Sequence, residues 1–434
     1  MITDQAVATS SPRTVRTPRT AQGVPSLRPG RAGTSAGAAG RNTPPAEDTL
    51  DAVFTRAARR WPGAVAVQDA RGGLGFATAE LRATQLASVL TRGGVQLGDP
   101  VIVHCDDHRQ AVVAQLAVLK AGGVCVPAAH GLGRTELRAI AALSGASTVL
   151  CSRSTQDAWP RRCASLPLDD QQTWRRVAAH RPERALPLSS AREAAYLLVS
   201  GEGPDEPTGH LIDHHAWRLA IAARTRAAGP APRQVFVSAP PASPRALSAM
   251  WWAFASGGSL RTLPGAGSPA ERVGPVCAVV FSPDEYAAVV DTLPIRPRLV
   301  QLLGGPVPGE LVARHFAALP DTRLRADFAP RGGALPWTSR EFAAQAGALP
   351  SPSTLGTPVP EVRVHVVDGR GRPLAAGQEG ELCAAGPALP FGTIRRPGRT
   401  AAAWEDAPLL RSGVPGRRLA DGGLELTEPP PTAA

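Results

Sequence analysis

The chain has 434 residues, 43% of them hydrophobic, and a formal net charge of +11 from 47 basic and 36 acidic side chains. That length can bury a sizeable core in two or three domain-sized units, and no apolar run approaches the roughly 20 residues of a membrane-spanning helix. Only one of the 47 basic residues is a lysine, Lys120, so kinase, Schiff-base or pyridoxal chemistry has a single position to use; arginine stays protonated and cannot serve as an amine nucleophile.

Residues 1–46 are rich in Thr, Ser, Pro, Ala, Gly and Arg, with Arg13, Arg16, Arg19, Arg28, Arg31 and Arg41 set against Asp4. So few large apolar residues cannot offset the entropy of ordering, and this segment reads as a disordered basic tail. It lacks the aromatic interleaving of a nucleic-acid surface, so nucleic-acid binding through it ranks last among the functional readings. No apolar stretch marks a secretory signal, and the six dispersed cysteines form no Cys-x-x-Cys pair. Both point to free, buried thiols in a reducing cytoplasm.

From residue 48 the pattern alternates. Residues 49–60 read as a helix, 64–67 as a short strand and 77–92 as a helix ending at Gly93-Gly94. Strands are expected at 99–104, 122–127 and 147–151, with a helix over 109–120. Similar alternation continues through 235–237, 276–281 and 299–303. Strands separated by helices of this length mean βαβ crossovers and mainly parallel sheets. The last third differs: 362–368 alternates strictly, turns at Gly369-Arg370-Gly371, and a further short strand begins at Gly380. This reads as a small antiparallel β-unit over 354–426, after paired α/β subdomains over 47–353 and before a Pro-rich tail at 427–434.

Several ordered segments carry a family resemblance. They are AVLKAGGVCVP at 117–127, Leu302-Leu303-Gly304-Gly305 with Pro308-Gly309-Glu310-Leu311-Val312, and Leu355-Gly356-Thr357-Pro358. Val366-Val367-Asp368, Gly380-Glu381-Leu382, Gly386-Pro387-Ala388-Leu389, Arg396-Pro397 and Leu410-Arg411-Ser412-Gly413 follow in order. The chain resembles the adenylate-forming (AMP-binding) superfamily, and within it the adenylation domains of nonribosomal peptide synthetases and the acyl-CoA synthetases. The resemblance implies the large N-terminal core of such an enzyme: two α/β subdomains plus a small β-barrel-like unit, without the smaller C-terminal domain that carries a catalytic lysine. It also implies the ancestral reaction, carboxylate plus ATP and Mg²⁺ to acyl-adenylate and pyrophosphate, then transfer to a thiol.

Each place where the resemblance puts that chemistry is altered. The family's phosphate loop reads Thr-Ser-Gly-Ser-Thr-Gly-x-Pro-Lys-Gly; here residues 200–209 are Ser200, Gly201, Glu202, Gly203, Pro204, Asp205, Glu206, Pro207, Thr208 and Gly209. Thr208 takes the lysine's place, and three acidic residues face a polyanion; like charges 4 Å apart repel by about 4 kcal/mol at an effective dielectric of 20. In the Asn-x-Tyr-Gly-Pro-Thr-Glu motif, Phe328 and Pro330 keep the aromatic face and the turn. Arg331 follows, and Gly332 replaces the magnesium-orienting glutamate. The ribose-clamping aspartate becomes Val414, and the aspartate aimed at a substrate amine aligns near Pro244. A vestigial nucleotide site is therefore expected at Ser200, Gly201, Gly203, Thr208, Gly209, Gly304, Phe328, Pro330, Arg331, Gly332 and Val414. The expectation is weak or absent ATP binding, no catalytic residue, no metal or other cofactor, and no membrane. The role expected is that of a pseudoenzyme with a protein partner in a biosynthetic system. The alternative is an AMP-forming ligase completed by a C-terminal domain supplied in trans.

Two local patterns have plainer readings. His210, Asp213 and His214 have the i, i+3, i+4 spacing of a zinc site, but Asp213 reads more simply as a helix N-cap. Cys105-Asp106-Asp107-His108 sits where carboxylates raise a thiol pKa, so it is a strand-to-helix turn. Trp251-Trp252 reads as helical core.

Overall fold

The computed structural model describes residues 49–180, 186–201, 207–264, 277–330, 333–344, 354–396, 399–400 and 409–427. The basic tail at 1–46, Gly203 with its acidic neighbours, Arg331, Gly332, Pro397 and the Pro-rich tail from 428 onward lie outside them.

Two sheets carry the fold. In the larger, thirteen-stranded sheet, Val65–Asp69, Ser259–Thr262, Gln234–Val237, Cys277–Phe281, Leu299–Gly304 and Arg323–Phe328 run parallel in that order. In the smaller, eight-stranded sheet the parallel run is Ala164–Pro167, Thr148–Cys151, Pro100–His104, Val124–Pro127 and Ala194–Ser200. Strands buried on both faces read as continuous apolar runs; Cys277–Phe281 is buried throughout.

Several helices start where the sequence supplies a side-chain cap. Asp107 accepts from Gln110 N (2.8 Å), Asp213 from Ala216 N (2.6 Å) and Ser243 from Ala246 N (3.1 Å). Pro244 and Pro283 stand in the first turn of their helices, where a missing N–H costs nothing. Helix His108–Lys120 packs against strands of both sheets. One apolar cluster runs through helices Leu50–Arg60, Phe76–Arg92, His108–Lys120, His214–Ala228 and Pro244–Ala255 and onto strands of both sheets, with Trp251 and Trp252 wholly buried.

Among the described residues the C-terminal strands form no closed barrel. Thr338–Phe342 pairs antiparallel with Arg323–Phe328 and with Thr354–Pro358, so the β-unit continues the larger sheet outward to Arg363–Val367. Strand Gly392–Arg396 leaves this group altogether and pairs with Thr208–Asp213 of the smaller sheet. A barrel needs the first and last strands to meet; here the ladder stays open, because one strand is given to the neighbouring sheet.

Lys120 is held within the helical layer. Its Nζ lies 2.7 Å from Glu80 Oε1 and 2.8 Å from Thr55 Oγ1, and Thr55 Oγ1 donates to the same carboxylate oxygen at 2.9 Å. The triangle ties helices Leu50–Arg60, Phe76–Arg92 and His108–Lys120. Directly after it, Gly122 adopts φ +75°, where a side chain would also meet Leu97 at 2.8 Å, so the Gly-Gly of the motif is required by the backbone. Lys120→Met should lower stability by about 1–2 kcal/mol, because Glu80, 23% exposed, keeps a part-buried charge without its partner. Urea denaturation of Lys120→Met beside Lys120→Met/Glu80→Gln checks this: the double variant should recover part of the loss.

Candidate functional site

The residues expected at the site fall on two supports. Ser200 and Thr208 face each other in the antiparallel hairpin Ala194–Ser200/Thr208–Asp213 of the smaller sheet. Ser200 Oγ lies 3.1 Å from His210 Nε2, so its hydroxyl is engaged within the hairpin. Gly209 has a packing reason to persist: a Cβ there would come within 2.7 Å of Leu197, a core residue. Gly201 follows Ser200 directly, at φ +121°.

Gly304, Phe328 and Val414 belong to the larger sheet. Gly304 ends its strand directly opposite Phe328, and its φ of +135° is a conformation open in practice only to glycine. Ala329 N donates to Gly304 O at 3.0 Å, which sets the turn at Pro330. Phe328 does not present an open aromatic face: it is 5% exposed and forms one apolar cluster with Trp337, Leu355, Val359 and Val362. Val414 packs against that same cluster. Its backbone is fixed from both sides, since Val414 N donates to Ser412 Oγ (3.0 Å) and Gly413 N to Glu381 Oε1 (2.9 Å). Where the family resemblance calls for a carboxylate, the position is part of a hydrocarbon surface.

Beside Phe328 lies a pair that sequence reasoning missed. Asp327 is buried and paired with Arg224 at 3.0 Å, their side chains 5% and 6% exposed. Ser339 Oγ donates to the other Asp327 oxygen at 2.7 Å. Arg224 also bonds Ser248 Oγ and lies over the Trp252 ring, 5.8 Å from its centroid. A guanidinium thus fills the space between helix Pro244–Ala255, near which the substrate-amine aspartate was expected, and the strand bearing the nucleotide motif. No local pattern announces the pair, since the partners are 103 residues apart. At the positions the resemblance assigns to nucleotide contacts stand a threonine for the loop lysine, a valine for the ribose aspartate, and a phenylalanine whose face is covered.

The remaining candidates resolve structurally. His210, Asp213 and His214 do not converge; among the described residues no group of three or more His, Cys, Asp or Glu side chains is arranged to hold a metal. Asp213 caps its helix as expected. His214 accepts a hydrogen bond from Leu50 N at 3.0 Å and is 1% exposed. Burial raises the Cys105 thiol well above its usual range, with Asp107 and Asp106 pushing the same way, and all six cysteines are buried and free. None of the helices among the described residues is long and apolar enough to cross a membrane.

The fold and site together define the N-terminal core of an adenylate-forming enzyme. The chain belongs to the AMP-binding enzyme family, whose model matches residues 54–392. It is 24% identical to bacitracin synthase 3 of Bacillus licheniformis over 88% of this chain, and spans only 6% of that protein. It is 28% identical to the salicyl-AMP ligase / salicyl-S-ArCP synthetase of Mycobacterium tuberculosis, covering 87% of this chain and 72% of that one. Among solved structures it shares its fold with the N-terminal subdomain of Klebsiella oxytoca NpsA in complex with 3-hydroxybenzoyl-AMSN (TM-score 0.72, 20% identity, 88% and 98% of the two chains). VinN matches similarly (TM-score 0.75, 19% identity, 88% and 98%).

Removing one partner of the buried pair should be costly. Asp327→Ala is expected to lose about 3–5 kcal/mol in urea denaturation by stranding the Arg224 guanidinium, whereas Arg224→Met/Asp327→Leu should lose less. Burial holds His214 and His104 each down at about 4, while burial raises Asp213 to about 6. Below pH 6.5 the unfolded chain takes up the two histidine protons first, so stability falls from pH 6.5 toward 4; Asp213 works in the opposite sense over pH 6 to 4 and offsets one of them. Each histidine contributes up to about 1.4 kcal/mol per pH unit. His214→Gln should flatten the pH dependence of the urea midpoint in that window.

Proposed function

We propose that this member of the AMP-binding family no longer forms acyl-adenylates and acts as an accessory or scaffolding protein beside a biosynthetic system. The nonribosomal peptide kind is suggested by relatives such as bacitracin synthase 3. The observation that carries the proposal is Val414, half-buried and packed against the apolar cluster that also buries Phe328. A ribose set on that surface would bury hydroxyls without partners, at about 1–3 kcal/mol each. The buried Arg224–Asp327 pair supports the same reading, because its guanidinium already occupies the ground between the nucleotide motif and helix Pro244–Ala255. Thr208 supplies no charge to a triphosphate. Under this reading the fold is retained as a surface, and its partner is a protein of that biosynthetic system.

Calorimetric titration of ATP with Mg²⁺ into the full chain tests the proposal. The expected outcome is no saturable binding below the millimolar range and no pyrophosphate exchange with a panel of amino and aryl acids. Micromolar ATP binding, or exchange that appears when a separate C-terminal adenylation subdomain is added, overturns it in favour of a ligase completed in trans.

A further inference from the structure

Some exposed arginines of this chain are neutralised where they stand. Arg153 pairs with Asp170 at 2.5 Å and Arg372 with Asp368 at 2.8 Å. Others carry no counter-charge, and three of these converge on one place. A cavity of about 640 Å³ opens beside Ala164–Pro167, the edge strand of the smaller sheet, and is lined by Arg134, Arg138, Arg161, Gln156, Asp157 and Trp159 among others. Among the described residues, none of the guanidinium groups of Arg134, Arg138 and Arg161 has an ion-pair or hydrogen-bond partner.

The arrangement is costly as it stands. Arg134 and Arg138 are one turn apart on the exposed face of helix Arg134–Ser144, the spacing at which like charges repel. Arg134 is also the first residue of that helix, at the positive end of its dipole. Glu136 gives partial relief, but its Oε2 is committed to Gly133 N at 2.6 Å. Asp157 is the single carboxylate in the cavity wall against three guanidinium groups. Trp159, 6% exposed and braced edge-on against the His104 ring at 5.5 Å, gives the cleft a rigid aromatic wall.

We propose that this cleft binds a small multivalent oxyanion, a phosphate ester or polycarboxylate. Such a ligand supplies the counter-charge that one carboxylate cannot: planar guanidinium groups grip phosphate and carboxylate oxygens in a forked geometry, and the cavity has the size of a small-molecule site. The site is separate from the vestigial nucleotide hairpin. Three strands, Val124–Pro127, Pro100–His104 and Thr148–Cys151, lie between Ala194–Ser200 and the edge strand beside the cleft. Ligand binding here is therefore independent of the loss of adenylate chemistry.

The test is calorimetry on the full chain at low salt, with inorganic tripolyphosphate and citrate as probes. Both should bind saturably at one competing site, more weakly as ionic strength rises. Arg134→Ala/Arg138→Ala should weaken binding at least tenfold and Arg161→Ala at least threefold, while Arg59→Ala, an exposed arginine of the first helix, leaves it within twofold. Circular dichroism reports whether the double variant folds; if it does not, Arg161→Ala decides alone. Absence of saturable binding by either probe at millimolar concentration, retention of affinity within twofold in the arginine variants, or binding only to anionic lipid vesicles overturns the proposal.

Discussion

The structure depends on an apolar layer of helices shared by two sheets, and on a chain of buried hydrogen bonds that crosses it. Tyr196 OH donates to Gln115 Oε1 at 2.7 Å and accepts from Trp251 Nε1 at 2.8 Å. Those three residues belong to the last parallel strand of the smaller sheet, to the helix that touches both sheets, and to the helix packed on the larger one. Around them the layer is filled by Phe54, Phe76, Phe254, Trp217 and Trp251, in edge-on and tilted contacts. Hydrophobic burial there is non-directional. The polar chain is what makes one relative placement of the helices satisfy every partner, since a shift would strand buried donors and acceptors.

This separation between what holds the fold and what performs chemistry explains how the core persists while its site is altered. Gly209 is needed against Leu197, Gly304 for its backbone angle, and Gly122 for both angle and space. None of these needs depends on a phosphate. By contrast, the lysine, glutamate and aspartate positions of the family carry charge whose cost is offset only by a ligand. Thr208 and Val414, which the resemblance aligns with two of those positions, carry no charge, and Val414 adds apolar contact to the cluster around Phe328. Lys120, the only lysine, has a structural task of its own: its ammonium closes a triangle with Glu80 and Thr55.

Element types were legible wherever a period or a cap was local. The helices beginning at Leu50 and His108, the buried strands Pro100–His104 and Cys277–Phe281, the Asp213 cap and the buried Trp251-Trp252 pair all follow from spacing. The open ladder of the C-terminal strands did not, because pairing between Gly392–Arg396 and Thr208–Asp213 joins segments nearly two hundred residues apart. Nor did the covering of Phe328, which as a lone aromatic in a motif reads as a stacking face until its neighbours are known.

The sequence by itself determined the family, the order of the elements and which charged positions of the nucleotide site are gone, because motifs and caps are contiguous in the chain. Tertiary structure alone decided three things: that Arg224 and Asp327 neutralise each other under helix Pro244–Ala255, that Val414 packs against a hydrocarbon cluster, and that Arg134, Arg138 and Arg161 share a cleft with a single carboxylate, Asp157. Whether a charge is paired, stranded or excluded is set by distance and burial, and both come from segments that meet only when the two sheets close on their common layer of helices.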